Sequence, residues 1–284
     1  MNSFPPSSLM HNISRYRIDS RIGKFLMNLQ GSSIRFGEHV SHTPGYSPEF
    51  LDYRNYRHGD PLKDIDWKLS ARTEKVFIKI RESHRKTNMV IAVDGSESMR
   101  VNYSASNSSK WISALTCAYI CAKIGLKSRD QIYLKSNTDN MILSSEQNLM
   151  RALLQLESST FIDHFWDNPI EHGEHLFMFS DFFVDIERLL AFLKSTSHKM
   201  KKIVAFIVQD AYEKELSFTG RYQLLDPESD KKILCRMNEI KPKYHRMYQH
   251  HFAQVMHIFK SFGIQSIFIL TDTDPLTQFL KIQT

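Results

Sequence analysis

From about residue 88 onward, continuous apolar runs alternate along the chain with segments in which apolar residues recur at helical spacing. The first run, Met89–Val93, is rich in β-branched residues and ends at Asp94, as in a strand that is buried on both faces of a parallel sheet. Apolar residues from Trp111 to Gly125 then follow the helical period, behind a serine that can cap the helix. The same alternation predicts further strands at 131–136, 176–179, 203–208 and 265–270, and helices at 146–156, 185–193, 242–262 and from Pro275.

The order of these elements determines the expected fold class. Strands separated by helices of roughly 10–20 residues imply right-handed crossovers between parallel strands. We therefore predict an α/β protein with an open, mostly parallel, Rossmann-like sheet and helices on both of its faces. The turn signal Asp226-Pro-Glu-Ser adds a short hairpin made of Tyr222–Leu225 and Lys232–Leu234.

Residues 1–87 do not follow this alternation. They carry scattered glycines among aromatic and polar residues, and their best strand candidate is Val76–Ile80. We expect residues 1–87 to be an N-terminal extension that packs on the main domain, residues 88–284. Trp67, in this extension, is expected to be buried against the sheet.

The composition favours a globular protein that folds without disulfides. Apolar residues make up 42% of the chain and charged residues 24%, and the three cysteines are too few for a disulfide framework. Cys117 and Cys121 are spaced as packing residues on a buried helix face. Neither an apolar stretch of about 18 residues nor a secretory signal is visible. We expect a cytoplasmic protein with no integral membrane span.

The formal net charge of +6 belongs to the first third of the chain. Residues 1–87 contain 15 lysines and arginines against nine acids, whereas basic and acidic residues balance over 88–284. Because acids are interleaved with these basic residues, we expect no nucleic-acid binding. Two readings stay open for Arg54, Arg57, Lys68 and Arg72: they bind acidic groups of a partner protein, or they pair internally with Asp52, Asp64 and Asp66. Internal pairing is the favoured reading.

Candidate chemistry lies where strands of the predicted sheet end, since ligands of open parallel sheets bind at the carboxyl ends of the strands. Asp94, Ser96 and Ser98 alternate after the first strand, and Asp181 follows a later one. Their carboxylates and hydroxyls are hard oxygen donors of the kind that Mg²⁺ prefers, and Thr160 offers one more hydroxyl. The alternative reading is that Asp94 and Asp181 only cap the helices or loops that follow them.

Several segments carry a family resemblance. Val93-Asp-Gly-Ser-Glu-Ser-Met99 resembles the metal-ion-dependent adhesion site, or MIDAS, of von Willebrand factor A domains. Three earlier segments, together with Tyr244 and Thr271-Asp-Thr-Asp-Pro275, resemble the signature of the bacterial family called domain of unknown function 58. These earlier segments are Gly45-Tyr-Ser-Pro-Glu-Phe50, Tyr56-Arg-His-Gly-Asp-Pro61 and Ile65-Asp-Trp-Lys-Leu-Ser-Ala-Arg-Thr73.

The resemblance implies a von Willebrand factor A-like sheet and a non-enzymatic, metal-dependent protein-interaction module. It assigns a bound Mg²⁺, or another divalent cation, to Asp94, Ser96, Ser98, Asp181 and Thr160. A client protein would offer an Asp or Glu to the metal. The family further implies an accessory factor of a MoxR-type AAA ATPase that assists the assembly or activation of other proteins. The ATPase must be a partner, since the chain lacks a P-loop motif.

Two other functions stay open. A Mg²⁺-dependent phosphatase could use Asp94 as its nucleophile, although such chemistry needs a second acid where this chain has Ser96. A scaffold that works without metal is the other alternative. The histidines of the late helix, among them His250 and His257, lack a cysteine pair that would favour a zinc site.

Overall fold

The structure is a computed structural model that describes residues 50–278, apart from 74, 82–86, 102–108, 136–139, 159–164, 171–172, 217–218, 226–231 and 276. The described residues divide at Thr87 into two compact units. Each unit has its own sheet, and the two are described in turn.

The unit before Thr87 is a two-stranded antiparallel sheet with a one-turn helix. Strand β1 (Phe50–Asn55) pairs with β2 (Phe77–Arg81), and a 3-10 turn (Leu62–Asp64) and helix α1 (Trp67–Ser70) lie between them in the sequence. Strand β2 confirms the strand predicted from Val76, whereas β1 was not predicted.

The prediction that Trp67 is buried is wrong. Its relative exposure is 66%, whereas Ile65 and Ile78 are buried and bridge to each other. Trp67 is the first residue of α1, directly after the cap Asp66, and a helix of a single turn buries only a narrow stripe. Ile65 therefore supplies the buried apolar side chain that the sequence had suggested for Trp67.

The unit from Thr87 onward contains a six-stranded sheet. Its strands are β3 (Asn88–Val93), β4 (Gln131–Lys135), β5 (Asn140–Leu143), β6 (His175–Ser180), β7 (Lys202–Gln209) and β10 (Gln265–Leu270). They lie in the order β5-β4-β3-β6-β7-β10, and all neighbours are parallel except β5, which is antiparallel to β4. The predicted α/β class with a mostly parallel sheet is confirmed, while the edge strand β5 was not predicted.

Helices cover both faces of this sheet, because alternate residues of each central strand point to opposite sides. Ile91 and Phe177 pack with α3 and α4, whereas Val90 and Met178 pack with α5 and α7. Cys117 and Cys121 are buried on α3, as predicted. The helices are α2 (Glu97–Arg100), α3 (Lys110–Lys127), α4 (Glu146–Ser158), α5 (Ile186–Ser197), α6 (Ala211–Glu215) and α7 (Met237–Ser261).

The predicted hairpin is also present. Strands β8 (Arg221–Leu225) and β9 (Lys232–Arg236) pair antiparallel in a sheet of their own.

Helix α7 begins at Met237, directly after β9, and contains the proline, Pro242, at which the sequence predicted its start. Of the helix predicted from Pro275, residues 275, 277 and 278 are helical, and the rest of the predicted segment lies outside the described residues. Among the described residues, no helix combines the length and apolar character needed to cross a membrane.

Candidate metal site

The candidate site lies at the carboxyl edge of the six-stranded sheet, between β3 and β6. These strands are parallel neighbours, but α3 after β3 packs on one face of the sheet and α5 after β6 on the other. The chain switches faces between these two strands, and such a switch point is the position at which open α/β sheets bind ligands. Asp94 follows β3 and Asp181 follows β6.

The residues after β3 bring one carboxylate and two hydroxyls together. Asp94 is buried, and its Oδ1 accepts a hydrogen bond from the Ser96 N–H at 3.0 Å. The Oγ atoms of Ser96 and Ser98 lie 3.0 Å apart. Ser96 is the N-cap of α2 but makes no side-chain capping bond, so its hydroxyl faces Ser98 instead. Asp94, Ser96 and Ser98 therefore lie in one hydrogen-bonded turn after β3, and their joint binding of a metal stays a prediction.

Ser180, the last residue of β6, joins the two strand ends. Its hydroxyl donates to Asp94 Oδ2 at 2.6 Å and accepts from the Phe182 N–H at 2.8 Å. Ser180 is fully buried, and Phe182 has a positive φ of 55°. The hydroxyl thus holds the Asp94 carboxylate and the turn after β6 in a fixed relation. Ser180 was not predicted as a site residue, although its place directly before Asp181 was the available signal.

Asp181 is held by a buried lysine that the sequence analysis missed. The Nζ of Lys110, the first residue of α3, lies 2.7 Å from Asp181 Oδ2 and 2.8 Å from Glu213 Oε2. Lys110 has no exposed surface, and the Phe183 N–H donates to the second oxygen of Asp181 at 3.1 Å. A lysine in the first turn of a helix opposes the helix dipole. That unfavourable position in an apolar helix was the signal that Lys110 has an anionic partner.

Burial and charge shift the pKa values at this edge. Burial, and then the negative charge of Asp181, raise the pKa of Asp94 to about 6. Burial alone would lower the pKa of Lys110, but the charges of Asp181 and Glu213 outweigh it and hold that pKa above its usual value. Burial raises the pKa of the Glu213 carboxyl, although Lys110 opposes this.

A second buried lysine, Lys135, lies at the end of β4. Its Nζ donates to the carbonyl oxygens of Phe165, at 3.0 Å, and of Asn168. The rings of Phe165 and Phe192 flank it at 4.8 and 4.9 Å, and burial lowers its pKa to about 8, with the charge of Asp94 opposing the shift. The ammonium of Lys135 is therefore committed to backbone carbonyls rather than to an acid.

The ionisable groups that are coupled to Asp94, directly or through one another, include more acids than bases. Four carboxyl groups couple electrostatically with one another or with the two buried lysines, which leaves an excess of two negative charges when all are ionised. These groups are Asp94, Asp181, Asp210 and Glu213, against Lys110 and Lys135. One divalent cation would neutralise that excess.

The donor set fits a hard divalent cation. Asp94 and Asp181 offer carboxylate oxygens with spare lone pairs, and Ser96 and Ser98 offer hydroxyl oxygens, which is the chemistry that Mg²⁺ prefers. No group of three His, Cys, Asp or Glu side chains suited to a metal occurs in the part of the chain that the structure describes. A cation at this edge would therefore depend on the serine hydroxyls. Thr160, the further ligand suggested by the sequence, lies outside the described residues.

The arginines of the unit before Thr87 have different environments. Arg54 forms a two-pronged pair with Asp60, with both N–O distances at 2.7 Å, so it pairs internally but with an acid that the sequence analysis had not named. Of the acids that were named, Asp66 lies 3.2 Å from Lys79. Arg57 and Arg72 are exposed, and their role in partner binding stays a prediction.

Comparison with known proteins identifies the family. Residues 52–254, more than half of the 284-residue chain, match the model of the family described as "Protein of unknown function DUF58". Neither the curated proteins nor the solved structures contain a match. The matched segment includes most of β1, the Asp94–Ser98 turn, Asp181 and most of α7. The chain therefore belongs to the DUF58 family.

Proposed function

We propose that this protein is a non-enzymatic interaction module that holds a divalent cation, Mg²⁺ in the simplest case, at Asp94, Ser96, Ser98 and Asp181. The convergence of the two serine hydroxyls and the Asp94 carboxylate at the switch between β3 and β6 carries the proposal. The excess of buried carboxyl groups at the same edge supports it, since a site with uncompensated negative charge favours a cation.

The protein's own residues would make such a site suited to binding a partner. A bound divalent cation supplies positive charge and a coordination position that an Asp or Glu of another protein can fill. Ser96 and Ser98 contribute neutral oxygens, and Lys110 neutralises part of the charge of Asp181. Few net negative charges then repel the incoming carboxylate. Ser180 fixes the orientation of Asp94.

The fold supports a von Willebrand factor A-like assignment as part of the proposal. Counted along the chain, the strands of the large sheet lie in the order 3-2-1-4-5-6, which is a doubly wound order with its switch point beside the first strand. The candidate site follows that first strand. The family resemblance adds the role of an accessory factor of a MoxR-type AAA ATPase, acting on the assembly or activation of a client protein in the cytoplasm.

A scaffold that works without metal is the second candidate, and Lys110 favours it. The ammonium of Lys110 already occupies one oxygen of Asp181 and lies between two acids, as a permanent counter-ion would. The phosphatase alternative has less support, because Ser96 stands where a second acid would be needed.

Direct metal binding distinguishes these candidates. We expect Mn²⁺, a spectroscopic substitute for Mg²⁺, to bind the full chain in titrations followed by electron paramagnetic resonance. Asp94→Asn and Ser98→Ala should each weaken that binding by at least about tenfold, since each removes or alters one oxygen ligand. Asp185→Asn is the matched control, because Asp185 is an exposed acid that caps α5 and an asparagine caps equally well.

Each outcome has a defined meaning. Binding that is lost in Asp94→Asn but kept in Asp185→Asn supports the metal-dependent module. Equal binding by all variants would place the cation elsewhere and contradict the proposal. An absence of binding by the unaltered chain would favour the scaffold that works without metal.

A further inference from the structure

The hairpin β8–β9 exposes apolar side chains on both of its faces. Ile233 and Leu234 are consecutive residues of β9, so they point to opposite sides of the strand. Their relative exposures are 60% and 80%. Exposed apolar surface on both faces of a short hairpin costs solvation free energy, and such surface is typical of interaction sites.

The base of the hairpin is nevertheless fixed to the main unit. Cys235 and Met237 are buried and pack with Leu216, and the Met237 N–H donates to the Gly220 carbonyl at 3.0 Å. The exposed residues Ile233 and Leu234 are therefore carried on an anchored strand.

A groove borders β9. It has a volume of about 490 Å³, and its lining includes apolar side chains of the strand and of the first turn of α7 together with charged side chains. The residues that matter here are Arg221, Ile233, Leu234, Arg236, Glu239 and Ile240. The concave, partly apolar lining suits a segment of polypeptide better than a flat surface would.

Two arginines face each other across this hairpin. Arg221 and Arg236 are directly paired in the register, and like charges at such positions repel. Leu234 lies on the same face as Arg236, two residues away. Glu239 approaches Arg236 at 3.4 Å and offsets only one of the two charges. A further anionic group between the arginines would relieve the repulsion.

We infer that the hairpin is a docking site for an extended, acidic and apolar segment of a partner protein. Carboxylates of the segment would pair with Arg221 and Arg236, and its apolar side chains would pack on Leu234 and Ile240. In their two-stranded sheet, β8 and β9 are each paired on one side only among the described residues, so an edge is available for backbone pairing. The site is separate in its residues from the candidate metal site.

Glu239 argues against an anionic lipid surface as the ligand. Its carboxylate lies in the groove beside Arg236 and would meet lipid phosphates of the same sign. A peptide, in contrast, can place its carboxylates toward Arg221 and Arg236 and its apolar side chains elsewhere. The observations therefore favour a protein segment.

A pair of defined peptides tests the inference. One labelled six-residue peptide alternates glutamate with leucine, and the other alternates lysine with leucine; both have blocked ends. In fluorescence anisotropy with the full chain we expect the acidic peptide to bind at least about tenfold more tightly. The two arginines attract glutamate and repel lysine, and a tenfold difference in affinity corresponds to about 1.4 kcal/mol of binding free energy.

Three variants sharpen the test. Arg221→Glu should weaken binding of the acidic peptide by at least about tenfold, whereas Glu239→Gln should strengthen it about two- to fivefold by freeing Arg236. Leu234→Ser should weaken binding without changing its salt dependence, since it removes an apolar contact. Lys260→Glu, at an exposed position near the end of α7, is the control for a general loss of positive charge.

The outcomes separate this site from the candidate metal site. Asp94→Asn should leave peptide binding unchanged, so failure of one proposal does not decide the other. Equal binding of both peptides, or no effect of Arg221→Glu, would overturn the inference. A dimer in sedimentation velocity that Leu234→Ser dissociates would also overturn it, because the occupant would then be a second copy of the chain. Charge-dependent binding to phosphatidylglycerol vesicles, with no peptide binding, would overturn it as well, because the occupant would then be a lipid surface.

Discussion

The Nζ of Lys110 lies 2.7 Å from Oδ2 of Asp181, and both side chains are buried. These residues are 71 positions apart, and the same ammonium contacts Glu213, 103 positions from Lys110. One lysine thus joins the start of α3, the end of β6 and helix α6. Because a buried charge without a partner is costly, the three side chains depend on one another for stability.

Lys110→Met should strongly destabilise the protein. The substitution keeps much of the side-chain volume but leaves Asp181 and Glu213 without their cation, and breaking a buried pair in this way costs about 3–5 kcal/mol. The free energy of unfolding from urea titrations at pH 7 measures this loss. The deficit should shrink as the pH falls, because burial raises the pKa of Glu213, so this carboxyl can take up a proton in the folded state.

Lys127→Met is the matched control for that experiment. Lys127 is the last residue of the same helix, and it is exposed. We expect a change within about 0.5 kcal/mol, as for ordinary surface substitutions. Equal losses in both variants would show that the contacts of Lys110 with the two acids do not stabilise the fold.

The contacts of Lys110 also mark the limit of what the sequence could predict. Continuous apolar runs identified the central strands, as at Met89–Val93, because such runs suit strands buried on both faces. Asp94, Ser96 and Ser98 could be predicted to converge because they are neighbours in one turn. The contacts of Lys110 depend on packing between distant segments, and the residue types alone do not specify that packing.

Two errors have local physical causes. Strand β5 has only four residues, and it pairs antiparallel at the edge of the sheet, where no long apolar run is required. Trp67 was expected to be buried, but a tryptophan at the first position of a one-turn helix can lie outside the core while Ile65 fills it.

Ser180→Ala should destabilise the turn between β6 and α5. The change removes the acceptor of the Phe182 N–H and one hydrogen-bond donor to Asp94, in a fully buried position. We expect a loss of about 1–3 kcal/mol in the free energy of unfolding. Ser195→Ala is the control, because that hydroxyl donates only to the Phe192 carbonyl within α5. A loss no larger than that of the control would contradict the role of Ser180 in joining the strand ends.

Asp66 should give the unit before Thr87 a defined acid sensitivity. The Leu69 N–H and then the Tyr53 hydroxyl stabilise its ionised form, with a smaller contribution from Lys79, and they lower the pKa of Asp66 to about 2. A depressed carboxyl pKa adds stability that is present above the unfolded pKa of about 3.9 and is lost as the pH falls toward 2. Asp66→Asn should therefore be less stable than the unaltered chain at pH 6, and this difference should vanish near pH 2.

Hydrogen exchange of peptides from residues 50–81 measures that local stability. Asp64→Asn is the control, since Asp64 lies in the neighbouring 3-10 turn and does not cap α1. Faster exchange in Asp66→Asn at pH 6, with little change in the control, is the expected result. The same difference between variant and unaltered chain at every pH would show that the charge of Asp66 is not the cause.

Lys135→Met should loosen the segment that Lys135 binds. It should also change how the free energy of unfolding varies with pH above about pH 8. Without the ammonium, the carbonyls of Phe165 and Asn168 lose a buried donor, so amides of residues 165–170 should exchange faster.

The pKa of Lys135 is lowered to about 8, so between pH 8 and about 10.4 the unfolded chain holds the proton more often than the folded one. The free energy of unfolding of the unaltered chain should thus rise relative to Lys135→Met across that range. Urea titrations of both proteins at pH 7.5 and pH 9.5 measure the change, and a constant difference at the two pH values would show that Lys135 titrates normally in the folded protein.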